Sequence, residues 1–193
     1  MVYLLNRLTN KQASAVDPGV GIGDPLQHLI ACHDRIEERL QILERVIPYL
    51  RSDLEEKRRE ARQALDKALE FLEAMGTLHS QDEEDSVFPR LLVKAGDDGP
   101  DARELIAMLE TQHREKEEVL AKLKAYVIGL PVAPDSPVQA QVDRLEGFAA
   151  HLGDLYRPHI MIENQRLIPM AEEHLKTGDR EEILHEMRSR RGL

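Results

Sequence analysis

The stretch HDRIEERL, residues 33–40, returns as HREKEEVL at residues 113–120, with the form H-x-x-x-E-E-x-L kept through a shift of 80 positions. The same shift carries His79 onto His159 and Glu83 onto Glu163, and sets Leu26 on Ile106, Leu29 on Leu109, Leu65 on Leu145 and Leu72 on Leu152. Phe88-Pro89 likewise returns as Ile168-Pro169. Agreement at polar and apolar positions together marks one supersecondary unit used twice.

Each copy steps by threes and fours, the spacing of one helix face. Leu26, Leu29, His33, Ile36, Leu40, Leu43 and Ile47 form the first seam, opened by Asp24-Pro25 as N-cap and first helical residue. Leu65, Leu69, Leu72, Gly76, His79 and Glu83 form the second, with an expected end around Pro89 to Lys94. The third runs through Ile106, Leu109, His113, Leu120, Leu123 and Val127, and the fourth through Leu145, Ala149, Leu152, Tyr156, His159 and Glu163, with a local kink expected at Pro158. GDREEILHEMRSRRG predicts a short terminal helix with Asp179 as N-cap and Glu182 as its capping partner. The expected fold is all-α: two helical hairpins making an antiparallel up-down four-helix bundle over residues 24–193, with an extra C-terminal helix and an N-terminal arm at residues 1–23.

A chain of 193 residues suffices for one domain with its own core. The single cysteine, Cys32, excludes a disulfide framework or a cysteine-rich metal site within one chain and fits a reducing compartment. There is neither a signal-peptide pattern nor an apolar run of membrane-spanning length, so a cytoplasmic protein without a membrane partner is expected. A net charge of −10 argues against a nucleic-acid partner, and KRREAR at residues 57–62 reads as a solvated helix face.

Four histidines and two glutamates therefore stand where the helices otherwise place leucine: His33, His79, Glu83, His113, His159 and Glu163. Buried carboxylates beside imidazoles need compensation, because an unpaired charge out of water is costly enough to neutralise itself. A pair of metal ions supplies it. Nitrogen and oxygen donors without thiolate suit non-haem iron, with manganese as the other metal of this kind, and two glutamates can each bridge two ions. The bland alternative is a polar-seamed bundle without metal. Ile36 rather than Glu37 continues the first seam, so Glu37 and its counterpart Glu117 read as solvated or supporting residues. His28, His151, His174 and His185 read as surface or helix-end residues, Cys32 as a packed thiol, and Tyr156 as seam packing.

The motif H…HxxxE…H…HxxxE, at His33, His79–Glu83, His113 and His159–Glu163, resembles the hemerythrin-like (HHE cation-binding) proteins over roughly residues 24–170. The resemblance implies an oxo- or hydroxo-bridged di-iron centre, each iron taking two of these histidines with Glu83 and Glu163 bridging. Oxygen-carrying hemerythrins place another histidine four residues after the third-helix one, where this chain has Glu117. The similar di-iron proteins of iron–sulfur cluster repair carry an extra cysteine-bearing N-terminal domain that is not seen here. Expected ligands are O2, H2O2 or NO, with peroxidase-like, catalase-like or oxidase turnover and sensing both open. The alternative is a module that stores, donates or senses iron, including for cluster repair.

Overall fold

A computed structural model describes residues 23–133 and 135–193, which are helical with no strand among them. The arm expected at residues 1–23 therefore lies, apart from Gly23, outside the described residues. Four main helices carry the seams: α1 (Pro25–Val46), α2 (Glu55–Asp82), α4 (Gly99–Ile128) and α5 (Gln139–Ile162). Shorter segments complete the chain: α3 (Phe88–Lys94), α6 (Ile168–His174) and the terminal α7 (Thr177–Arg190). No described helix is long and apolar enough to cross a membrane.

Local chemistry sets the boundaries. Asp24 caps α1 as expected, its carboxylate accepting from the N–H groups of Leu26 and Gln27 at 3.0 Å each. Pro48 sits in the 3₁₀ turn Ile47–Arg51 that follows α1, and Gly96 takes a left-handed φ of 56° before Pro100 opens α4. Pro158 lies inside α5, which continues to Ile162. Around the bundle α1 packs on α2 and α5, and α4 packs on the same two. The seam leucines fall into two apolar halves, one containing Ile36, Leu40, Leu65, Leu72, Leu123 and Leu152, the other Leu26, Leu29, Phe88, Leu105, Leu109 and Leu167. The histidine–glutamate layer separates them.

Both glutamates open a π turn. α2 does not stop before Pro89; it widens over Glu83–Val87 and continues as α3, and α5 does the same over Glu163–Leu167 before α6. Phe88 N–H reaches back to the Glu83 carbonyl and Ile168 N–H to that of Glu163, five residues rather than four. The cause follows at once in each copy: Pro89 and Pro169 have no N–H and crowd the carbonyl four residues back, and the wide turn gives that carbonyl room.

The terminal helix is bound to the first of these turns by buried charge. Asp82 is fully buried, accepting from Arg190 Nη1 at 3.0 Å and from Arg191 Nη1 and Nη2 at 3.1 and 2.6 Å. Arg190 also donates to Ser86 Oγ, and Arg90 reaches Glu186 and Glu182. Ile183 and Met187 add their side chains to the second apolar half. The N-cap expectation is corrected here: α7 starts at Thr177, Asp179 lies within its first turn and accepts from Lys176 N–H at 3.0 Å, and Glu182 bonds Arg90 rather than the helix end. Removing Asp82 leaves two arginines without their buried counter-charge, so Asp82→Ala should cost about 3–5 kcal/mol in urea unfolding. A loss under about 1 kcal/mol would show that the arginines find other partners.

Candidate metal centre

Each seam delivers its side chain to the same depth. His33 comes from α1, His79 from the last turn of α2, His113 from α4 and His159 from α5, while Glu83 and Glu163 begin the two π turns. None of the six is more than 2% exposed. They form two groups of four, His33, His79, Glu83 and Glu163, and Glu83, His113, His159 and Glu163, with donor atoms in each group within 4.8 Å of one another. Both carboxylates belong to both groups. Neither Glu37 nor Glu117 enters either group: Glu37 bonds Arg157 Nε at 3.2 Å and Glu117 is exposed.

The donor atoms crowd without satisfying one another. His33 Nε2 lies 3.1 Å from His79 Nε2 and 2.9 Å from Glu163 Oε2; His113 Nε2 lies 3.3 Å from Glu83 Oε2 and His159 Nε2 2.5 Å from Glu163 Oε1. Yet both oxygens of Glu83, both of Glu163, and the Nε2 atoms of His113 and His159 are buried without hydrogen-bond geometry to any partner. Orphaned lone pairs converging from four helices are costly alone and are what a pair of cations requires. The residues present fit a two-metal site.

Metal-free, the layer divides its protons unevenly. Burial pushes His159 down to about 4, so it stays neutral. Burial also opposes charge on His113, but Glu163 and Glu83 outweigh it and bring the imidazole up to about 9. His79 is raised well above its ordinary range against the same burial, chiefly by Glu83. Glu163, despite burial, is held well below the usual carboxylate range by His113 and His159.

Outer partners fix three of the four rings. Asn164 Oδ1 lies 2.8 Å from His33 Nδ1, Glu84 Oε1 2.6 Å from His113 Nδ1 and Gln112 Oε1 2.8 Å from His159 Nδ1. A ring that donates from Nδ1 presents the Nε2 lone pair to the centre, the tautomer a metal needs. These partners were not singled out from the sequence, yet the repeat relates them: Glu84 shifts onto Asn164, and Cys32 onto Gln112. In Gln112's place the thiol of Cys32 is buried beside His79, whose Nδ1 has no hydrogen-bond partner. Cys32 Sγ also lies 3.6 Å from His28 Nε2. Burial raises this thiol, but His28 and His79 outweigh it and bring it down to about 6. His28, read as surface or helix-end, stands in the first turn of α1 and is buried, at 8% exposure, while His151 and His185 are exposed and His174 bonds Asp98 at 3.0 Å.

One further charged residue approaches the layer. Lys116, 3% exposed, holds its ammonium 4.8 Å from the centre of the Tyr156 ring. Burial lowers its pKa to about 8, with Glu163 and Glu83 opposing the shift, so it is mostly charged at neutral pH. A cavity of about 300 Å³ beside it reaches both His79 and His113.

Residues 24–171 match the family model of the hemerythrin HHE cation binding domain. A search of curated proteins gives no significant match.

Proposed function

The chain belongs to the hemerythrin HHE cation-binding family, and from that premise we propose a non-haem di-iron protein that binds or reacts with a small oxidant, O2, H2O2 or NO. The observation that carries this reading is the sharing of Glu83 and Glu163 by both four-donor groups, with nitrogen and oxygen donors only. His33 and His79 would hold one iron, His113 and His159 the other, and the two glutamates would bridge them. Irons held this way supply redox chemistry and exchangeable coordination positions to a small ligand. The protein's part is to fix the imidazole tautomers through Asn164, Glu84 and Gln112, and to exclude bulk water with the two apolar halves. The same reading takes the main helices to alternate in direction, residues 24–193 to be one domain, and the buried free thiol of Cys32 to belong to a cytoplasmic protein.

Glu117 provides no nitrogen where oxygen carriers have a further histidine, and it is exposed, so both metal positions keep room for an outside ligand. Reversible oxygen carriage is then disfavoured relative to oxidation or peroxide chemistry. The reduced, iron-loaded protein should oxidise in air within minutes without a long-lived oxygenated species, and the oxidised protein should bind azide and consume peroxide. Stopped-flow spectra read both. A stable, reversible oxygen adduct would overturn oxidant turnover, and azide binding without peroxide loss would favour sensing or iron handling.

A further inference from the structure

The two halves of the repeat differ on one face, and the difference opens a way to the metal layer. On the α1–α5 side, Arg157 reaches from α5 to α1, bonded to Glu37 at 3.2 Å and to Glu44 at 2.8 Å, with Ile36 and Tyr156 buried in the same two helices. Through the shift of 80, these positions on the α2–α4 side hold Thr77 for Arg157, Lys116 for Ile36, Gly76 for Tyr156 and Glu117 for Glu37. Arg157, which bridges the one face, is replaced by the smaller Thr77 on the other, and there the cavity lies, lined by Gly76, Thr77, Lys116 and Tyr156 and reaching His79 and His113. Those two histidines belong to different four-donor groups, so an occupant of the cavity adjoins both. A Cβ on residue 76 would meet Tyr156 Oη at 3.1 Å, so glycine there helps keep the channel's wall in place.

Charge indicates what enters. Two metal cations would exceed the charge of two carboxylates, and Lys116 adds a further positive charge at the cavity wall, its ammonium over the Tyr156 ring. A neutral diatomic gas gains little from that ammonium; a small anion gains a charge-assisted partner in a side chain only 3% exposed. We propose that the Gly76–Thr77–Lys116–Tyr156 cavity is the access channel and anion subsite of the centre, admitting small anions, with the Lys116 ammonium pairing the ligand as it approaches the metal pair. The proposal rests on the di-iron reading and adds to it a class of ligand beside the neutral oxidants, small anions, and the face they use.

The probe is azide, titrated optically into the oxidised, iron-loaded full chain, with iron content measured on each sample. Lys116→Met should weaken azide binding by about tenfold or more, and Lys116→Arg should stay within about threefold of wild type. Nitric oxide, neutral, bound to the reduced protein should keep its affinity within about twofold in Lys116→Met, which a general distortion of the centre would not allow. Thr77→Arg, copying the closed face, should slow azide association by about tenfold while leaving iron content intact. Equal azide affinity in loaded wild type and Lys116→Met overturns the anion subsite, and an unchanged association rate in Thr77→Arg overturns the channel. A wild type that takes up no iron instead sinks the di-iron reading itself.

Discussion

Alanine at Glu83 or Glu163 should reduce iron from about two per chain to near zero, while alanine at Glu37 or Glu117 should leave it within about a fifth of wild type. Glu83 and Glu163 each belong to both four-donor groups, so one substitution removes a donor from both proposed metal positions at once. Glu37 spends its carboxylate on Arg157, and Glu117 stands exposed at the rim of the cavity. All four glutamates share the same i, i+4 spacing from a histidine, so spacing alone assigns them equal roles. What separates them is the seam, which Glu83 and Glu163 continue and which Ile36 and Lys116 occupy in their own helices. Elemental analysis after expression in iron-supplemented medium, with circular dichroism to verify folding, decides it. Equal loss from all four variants would contradict the assignment.

The same seam explains how much could be read from the chain alone. Helix order, the Asp24 cap and the six inward polar residues follow from periodicity and the shift of 80, because a bundle repeats its burial pattern every three to four residues. The π turns do not follow, since a proline in a helical pattern reads as a stop or a kink; only the three-dimensional structure shows Pro89 and Pro169 each accommodated by a widened turn. The outer partners of the histidines were hidden for a different reason. Glu84, Gln112 and Asn164 are ordinary polar residues adjoining the six, and which ring each one serves depends on how neighbouring helices meet. Asp82 and Lys116 were missed because a charged residue in a charged stretch reads as solvated, whereas both are buried, the first by the terminal helix and the second against Tyr156.

The repeat is also where fold and function part. Matching histidine and glutamate positions in the two copies build a symmetric layer of donors. The differences at 36/116, 76/156 and 77/157 leave the helices in place, and the cavity beside that layer lies on the face that carries Gly76, Thr77 and Lys116. Function in such a bundle is written in departures from its internal symmetry.

Chelation should lower the thermal midpoint by about 8–16 °C, because a cation pair held at about a thousand times its dissociation constant contributes about 4 kcal/mol, and each kcal/mol moves a chain of this size by about 2–4 °C. The metal-free layer then keeps fully buried Glu83 and Glu163 with four orphaned oxygens. Replacing both by leucine joins the two apolar halves, so metal-free Glu83→Leu/Glu163→Leu should melt above the chelated wild type, by an amount equivalent to about 1–4 kcal/mol. Proton linkage supplies a second signature. His113 rises from an ordinary 6.5 to about 9 and His79 is raised in the same direction, so their pairing with the glutamates stabilises the metal-free fold fully below about 6.5 and is lost as pH climbs through their folded values. His159 acts oppositely: lowered to about 4, it costs stability as pH falls from 6.5 toward 4, where the unfolded chain takes its proton first. Cys32, lowered to about 6, and Lys116, lowered to about 8, act in the opposite sense over this window in both proteins, so the signature is the difference: chelated wild type should lose midpoint between pH 6.5 and 9 relative to the double leucine variant, which lacks the two inner carboxylates that hold those protons. Differential scanning fluorimetry in chelator across these pH values tests both signs. A chelated wild type as stable as the loaded protein, or a double variant with the same slope, would mean that Glu83 and Glu163 are not the buried counter-charges of this layer.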